Sequence, residues 1–251
     1  MPLIRGSGTM EVLEALGDRV PECGEFQRVV MFDPETGARH VSAVLVRVPA
    51  GHEFSLHTHP RSEDCFFVLS CTGQAIEPGR SLPLAAPAAV WVPVGHPHGL
   101  AAGSTGMLEV GFQSPADPTA VPFDARQPVP ANPGLLVSDI ASAARARWSP
   151  VFPSRHEATY LDADHAMLGP SECIRAEAWG FELVVIVASG AVELTGATHR
   201  RLDAIGALRL SPGSSTELRA LHSPALLLGV RARAAEGQTR TRSRVRLEQP
   251  L

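Results

Sequence analysis

The sequence predicts an all-β protein of the sandwich or barrel kind, and one built twice over. Two observations carry this. Short runs rich in Val, Leu, Ile and Phe, at 41–48, 65–69, 90–93, 107–112, 183–188, 207–210 and 226–230, have strand length, and glycine and proline (22 of each) punctuate the chain between them. Sliding the sequence on itself by 119 residues, without a gap, then brings Pro93 onto Pro212, Glu63 onto Glu182 and Val68-Leu69 onto Val187-Ala188. The chain of 251 residues has room for two such units of about 110 residues each.

Taken in order, the first unit spans 20–114. A linker follows at 115–134, where Pro115, Pro118, Pro122, Pro128, Pro130 and Pro133 cannot hold a ladder and should run extended. The second unit spans 135–235 and opens on a helical candidate at 138–147, with Asp139 in its first turn and arginines near its end. The tail, 236–251, alternates Arg240, Arg242, Arg244 and Arg246 like a charge-protected edge strand or a frayed end.

Composition narrows the function. Hydrophobic residues make up 44% and charged residues 19%, ordinary for a globular protein. A net charge of -4 and a single tyrosine argue against nucleic acid, and the charge argues against an anionic membrane surface. Cys23, Cys65, Cys71 and Cys173 show no C-x-x-C spacing and read as reduced, mostly buried thiols. With neither a leader nor a long apolar run in view, the expected location is the cytoplasm.

One stretch carries chemistry. His57 and His59, at i and i+2, face the same way on a strand. Glu63 or Asp64 follows four or five residues on, and His98 closes Pro93-Val94-Gly95-His96-Pro97-His98, where Pro93 and Gly95 end a strand and turn the chain. Three nitrogens and one oxygen suit a divalent transition metal: Fe, Mn, Ni, Cu or Zn. Strand parity then sends Phe66 and Val68 inward with Asp64, and Cys65 and Phe67 outward. His96 is the rival of His98 and otherwise lies at the mouth of the site.

Spaced this way, the residues resemble the cupin superfamily, with its Gly-x5-His-x-His-x(3,4)-Glu-x6-Gly and Gly-x5-Pro-x-Gly-x2-His-x3-Asn motifs. Gly51, His57, His59, Pro93, Gly95 and His98 match; Cys71, Pro87 and Ala102 stand where the motifs have glycine, glycine and asparagine. The resemblance implies a two-barrel, jelly-roll bicupin and favours Asp64 over Glu63 as fourth ligand, because Asp64 lies at the motif's distance from Cys71. In the second half, Ala176, Ala178, Leu183 and Glu217 fall where His57, His59, Asp64 and His98 stand, so one metal is expected, in the first barrel. The family further implies a small-molecule substrate and a dioxygenase. The alternatives are a non-oxidative isomerase, cyclase or hydrolase, or a metabolite-binding regulator without turnover. Edge pairing of such barrels makes a homodimer the expected assembly.

Overall fold

A computed structural model describes residues 9–13, 26–117, 119–126, 128–130, 133–140, 146–152, 158–195 and 200–233. Strands are the regular elements of these residues, and no helix among them is long and apolar enough to cross a membrane. The Arg-rich tail and Cys23 lie outside the described residues.

The first half contributes β1 (Met10–Leu13), β2 (Gln27–Phe32), β3 (Ser42–Val48), β4 (Glu53–Thr58), β5 (Glu63–Glu77), β6 (Arg80–Ala85), β7 (Ala88–Val92) and β8 (His98–Ser114). After β9 (Val121–Pro122) and β10 (Leu136–Asp139), the second half contributes β11 (Ser149–Pro150), β12 (Leu161–Leu168), β13 (Cys173–Glu177), β14 (Glu182–Ser189), β15 (Ala191–Thr195), β16 (Arg200–Asp203), β17 (Ala207–Leu210), β18 (Ser215–Ala220) and β19 (Ala225–Ala232). The offset of 119 residues recurs in the structure: β12 starts 119 residues after β3, β14 after β5 and β17 after β7. Long β5 and β8 bend through bulges at 68–73, whereas their counterparts are split into β14 with β15 and β18 with β19. Cys71 sits at this bend with φ +68, and Gly190, its counterpart, has φ +78, so a cysteine fills a position of left-handed backbone.

Nine strands form the sheet order β10-β7-β5-β8-β3-β2, with β4, β6 and β9 attached; a six-stranded sheet, β1-β17-β14-β19-β12-β11, and a four-stranded one, β13-β18-β15-β16, form the second unit. Two strands are exchanged. β1 completes the second unit by pairing with β17 (Met10 opposite Leu210), while β10 completes the first by pairing with β7 (Leu136 opposite Trp91). By chain order β10 falls within 135–235, yet its hydrogen bonds belong to the first unit. The helix expected at 138–147 is not seen where the chain is described: Ser138 and Asp139 pair with Ala89 and Ala88, and 141–145 lie outside the described residues. Open ladder groups on β7 outweigh a capping pattern.

The linker expected to hold no ladder also differs. Val121 and Pro122 pair with Thr58 and His57, Phe123 N–H donates to the Leu56 carbonyl at 3.0 Å, and Ser62 donates to the Pro115 carbonyl at 2.7 Å. Proline is tolerated there because β9 is an edge.

The alternation of β5 explains how the units meet. Phe66 and Val68 face the core of the first unit with Val46, Val90 and Leu100. Cys65 and Phe67 face outward, where they are buried with Trp91, Val110 and Phe112 against Ile186, Leu228 and Val230 of the second unit. A second, separate core fills the C-terminal unit. Two buried carboxylates clasp the halves reciprocally. Glu63 accepts N–H bonds from Thr159, Tyr160 and Leu161 at 2.6–2.9 Å, ahead of and into β12. Glu182, its counterpart, accepts from Arg39 and His40 ahead of β3, and from the buried guanidinium of Arg209 at 2.6 Å. Of the described cysteines, Cys65 is buried, but Cys71 is exposed and Cys173 half-buried, so burial is not the rule expected; all three are free thiols.

Candidate metal centre

His57, near the end of β4, lies directly opposite His98, the first residue of β8. His59 follows one residue beyond the strand. Gly95 N–H donates to the His59 carbonyl at 2.9 Å, and its φ of +71 makes the turn that returns the chain to His98. The ring centroids stand 5.0 Å apart for His57–His59, 4.5 Å for His57–His98 and 5.5 Å for His59–His98. One ligand atom from each ring lies within 4.8 Å of the others.

Each ring is oriented by a backbone carbonyl on Nδ1: Ser55 for His57 at 2.9 Å, Thr119 for His59 at 2.9 Å and His96 for His98 at 3.0 Å. A carbonyl can only accept, so each Nδ1 donates to its carbonyl, and Nε2 is the ring atom left to face a metal. Burial, then the neighbouring His98, pushes His57 down to about 4, leaving it neutral at pH 7. Asp64 Oδ2 lies 3.3 Å from His59 Nε2 and 3.0 Å from His98 Nε2, while its buried Oδ1 has no hydrogen-bond partner. Three imidazoles that converge within 4.8 Å, with Asp64 beside two of them and one of its oxygens left without a partner, are a donor set that fits a divalent transition metal.

The other expected residues separate cleanly. Glu63 turns away from the histidines into its clasp on 159–161. Phe66 lines the cavity described next, whereas Val68 is wholly buried in the core and does not. His96 is not at the mouth: it is 4% exposed, and its Nε2 lies 2.8 Å from Glu77. Burial opposes ionisation of Glu77, but bonds from Leu135 N–H, His96 and Arg80 hold its carboxyl below the ordinary value. This network ties the start of β10 to the loop carrying His98.

The histidines and Asp64 line a cavity of about 320 Å³ with mainly apolar walls, among them Val44, Val46, Phe54 and Leu100. At its rim Phe26 meets Phe54 edge-on, with centroids 4.8 Å apart. Four polar residues of the lining were not anticipated: Arg28, Ser42, Glu109 and Gln113. The Gln113 amide nitrogen is 3.0 Å from His59 Nε2. Glu109 is buried among apolar neighbours, and desolvation, with the charge of Asp64 second, pushes it up to about 8. Both lie on β8 in phase with Gly111, and a charged residue inside the apolar run 107–112 was the available signal.

At the matching place in the second unit, Ala176, Ala178 and Leu183 are packed into the core and Glu217 is exposed, bonded to Thr195. Among the described residues, His57, His59 and His98 are the group able to hold a metal.

A family model described as a cupin domain matches residues 44–111. No curated protein is similar enough in sequence to count as a relative. Solved structures are similar throughout the chain. A salicylate 1,2-dioxygenase from Pseudaminobacter salicylatoxidans is 12% identical, with TM-score 0.67 over 91% of this chain and 85% of that one. An oxalate decarboxylase from Lactobacillus farciminis, in a formate complex, is 12% identical, with TM-score 0.59 over 91% and 85%. Procruciferin, an 11S globulin from Brassica napus, is 10% identical, with TM-score 0.65 over 90% and 84%. Identity this low speaks for the fold alone. With the jelly-roll strands and the histidine triad in place, the match to a cupin domain over residues 44–111 agrees with the fold, and it is as a cupin-like fold that the chain is placed.

Proposed function

We propose that the protein is a mononuclear-metal enzyme, a dioxygenase acting on a small aromatic or enolisable molecule. One observation carries the reading: three imidazoles, each fixed by a carbonyl on Nδ1, offer their Nε2 atoms together at one end of an apolar cavity sized for a single small ring. His57, His59 and His98 would hold the metal, with Asp64 as the carboxylate. A bound Fe, Mn, Cu or Ni supplies O2 chemistry there and polarises an oxygen of the substrate. The chain's own residues do the rest. Val44, Val46, Phe54 and Leu100 exclude water, and Gln113 offers an amide beside His59. The occupant is a small molecule rather than nucleic acid, in keeping with the net charge of -4. The similarity in fold to a salicylate dioxygenase is in keeping with this choice of substrate class.

A second reading is favoured by Glu109, a buried carboxyl that desolvation pushes up to about 8 inside the same cavity. Such a group suits proton transfer, so a non-oxidative isomerase, cyclase or hydrolase is the alternative.

Metal analysis of protein purified without a histidine tag tests the site. One ion per chain is expected, and it should be absent from the His57→Ala, His98→Ala double variant; an ion retained by that variant overturns the assignment. Oxygen uptake with small hydroxylated aromatic acids, salicylate among them, then separates the readings, because anaerobic turnover excludes the dioxygenase.

A further inference from the structure

Glu109 is a polar side chain with no role in holding the fold that the structure shows. It is 5% exposed, its Oε2 has no hydrogen-bond partner, and it lines the cavity that the histidines close at the other end. The strand register orders this wall. Asp64 pairs with Gln113, Phe66 with Gly111, and Val68 with Glu109, and alternate residues of β8 share the inner face. Gln113 thus marks the metal end and Glu109 the remote end, with Gly111 between them. A β-carbon on Gly111 would meet nothing within 4 Å, so the wall there is open. Four residues of strand separate the two α-carbons by about 13 Å, which sets the scale of the space between the two ends.

We propose that Glu109 recognises the end of the substrate remote from the metal, its carboxyl donating a hydrogen bond to a neutral acceptor oxygen such as a carbonyl. The proposal rests on the metal-site reading and deepens it. The substrate class is then a small planar molecule with oxygen donors for the metal at one end and an acceptor oxygen at the other. A buried carboxyl without a protein partner is the group such a ligand completes. Burial raises Glu109 to about 8, so the proton it would donate is present at pH 7.

The test uses the full chain loaded with cobalt(II), whose visible bands report ligand binding. Two probes share one metal-binding end: catechol, and 3,4-dihydroxybenzaldehyde, which adds a remote carbonyl. Glu109→Leu should weaken the aldehyde about tenfold or more and catechol less than about threefold. Glu109→Gln, which keeps a neutral donor, should hold the aldehyde within about threefold of wild type. The carbonyl stretch of the aldehyde bound to wild type should also move to lower wavenumber, a readout that requires no variant. Equal weakening of both probes by Glu109→Leu, or an unshifted carbonyl, overturns the proposal. If neither probe perturbs the cobalt bands of wild type, the metal-site reading fails and takes this inference with it.

Discussion

Glu63 and Asp64 are adjacent acids with opposite duties, because one step along β5 turns a side chain to the other face of the sheet. Glu63→Ala leaves three buried N–H groups unpaired and should cost about 3 kcal/mol in denaturant unfolding, with metal content unchanged. Asp64→Ala should do the reverse, lowering metal affinity while unfolding of the metal-free protein shifts by less than about 1 kcal/mol. Glu109 gives a pH signature. Its folded value near 8 exceeds the ordinary 4.5, so between those values the native state holds a proton that the unfolded chain has released, and stability falls as pH rises. Glu109→Gln removes this loss. Its stability relative to wild type should match at pH 4 and exceed it by about 3 kcal/mol at pH 7, and parallel stability–pH curves would refute this assignment. That His57, His59 and His98 come together could be read from their motif spacing. Glu109 and Gln113 could not, because which face of β8 looks inward depends on the bulges that bend it, and bulges leave no firm mark in sequence.

At the scale of elements, the segment between the units is part of the site. β9 pairs with β4, and just before it the Thr119 carbonyl fixes the tautomer of His59. Phe123→Pro deletes the N–H that anchors this segment to Leu56. Metal affinity, measured by competition with a chelator, should fall about 10- to 100-fold, the usual effect of releasing a ligand's carbonyl partner. Proline density argued that 115–134 holds no ladder, yet Val121 and Pro122 pair with β4. It was silent on edge pairing, where a missing N–H does no harm. Where it is described, the start of the helix expected at 138–147 is strand for a related reason: local capping signals carry no information about an unpaired neighbour such as β7.

For the whole molecule, the recurrence of strands at an interval of 119 residues was legible because the motif spacing, glycines and prolines recur at that interval. Even the coincidence of Glu63 with Glu182 had a physical basis, each carboxylate gripping the backbone ahead of the other unit's first long strand. What chain order concealed was the exchange of β1 and β10 and the core shared by Phe67, Trp91 and Phe112 with Ile186 and Leu228. A unit cut out of the chain would expose that apolar face and lose a strand. Calorimetry of the intact protein should therefore show one cooperative transition, and residues 26–117 expressed alone should be insoluble or molten. Two separate transitions, or a soluble folded fragment, would show that the halves are independent.

The strand exchange also bears on ancestry. Each unit is finished by a segment that precedes its sibling, and each is gripped by its sibling's glutamate. Two identical copies of one such unit, each lending its leading strand to the other, would reproduce the same layout as a domain-swapped homodimer. Joining the two genes end to end turns that dimer into a single chain without moving a strand. Once joined, the copies no longer need to be alike: one could keep its imidazoles, and the other could fill its pocket with Ala176, Ala178 and Leu183 and serve as scaffold.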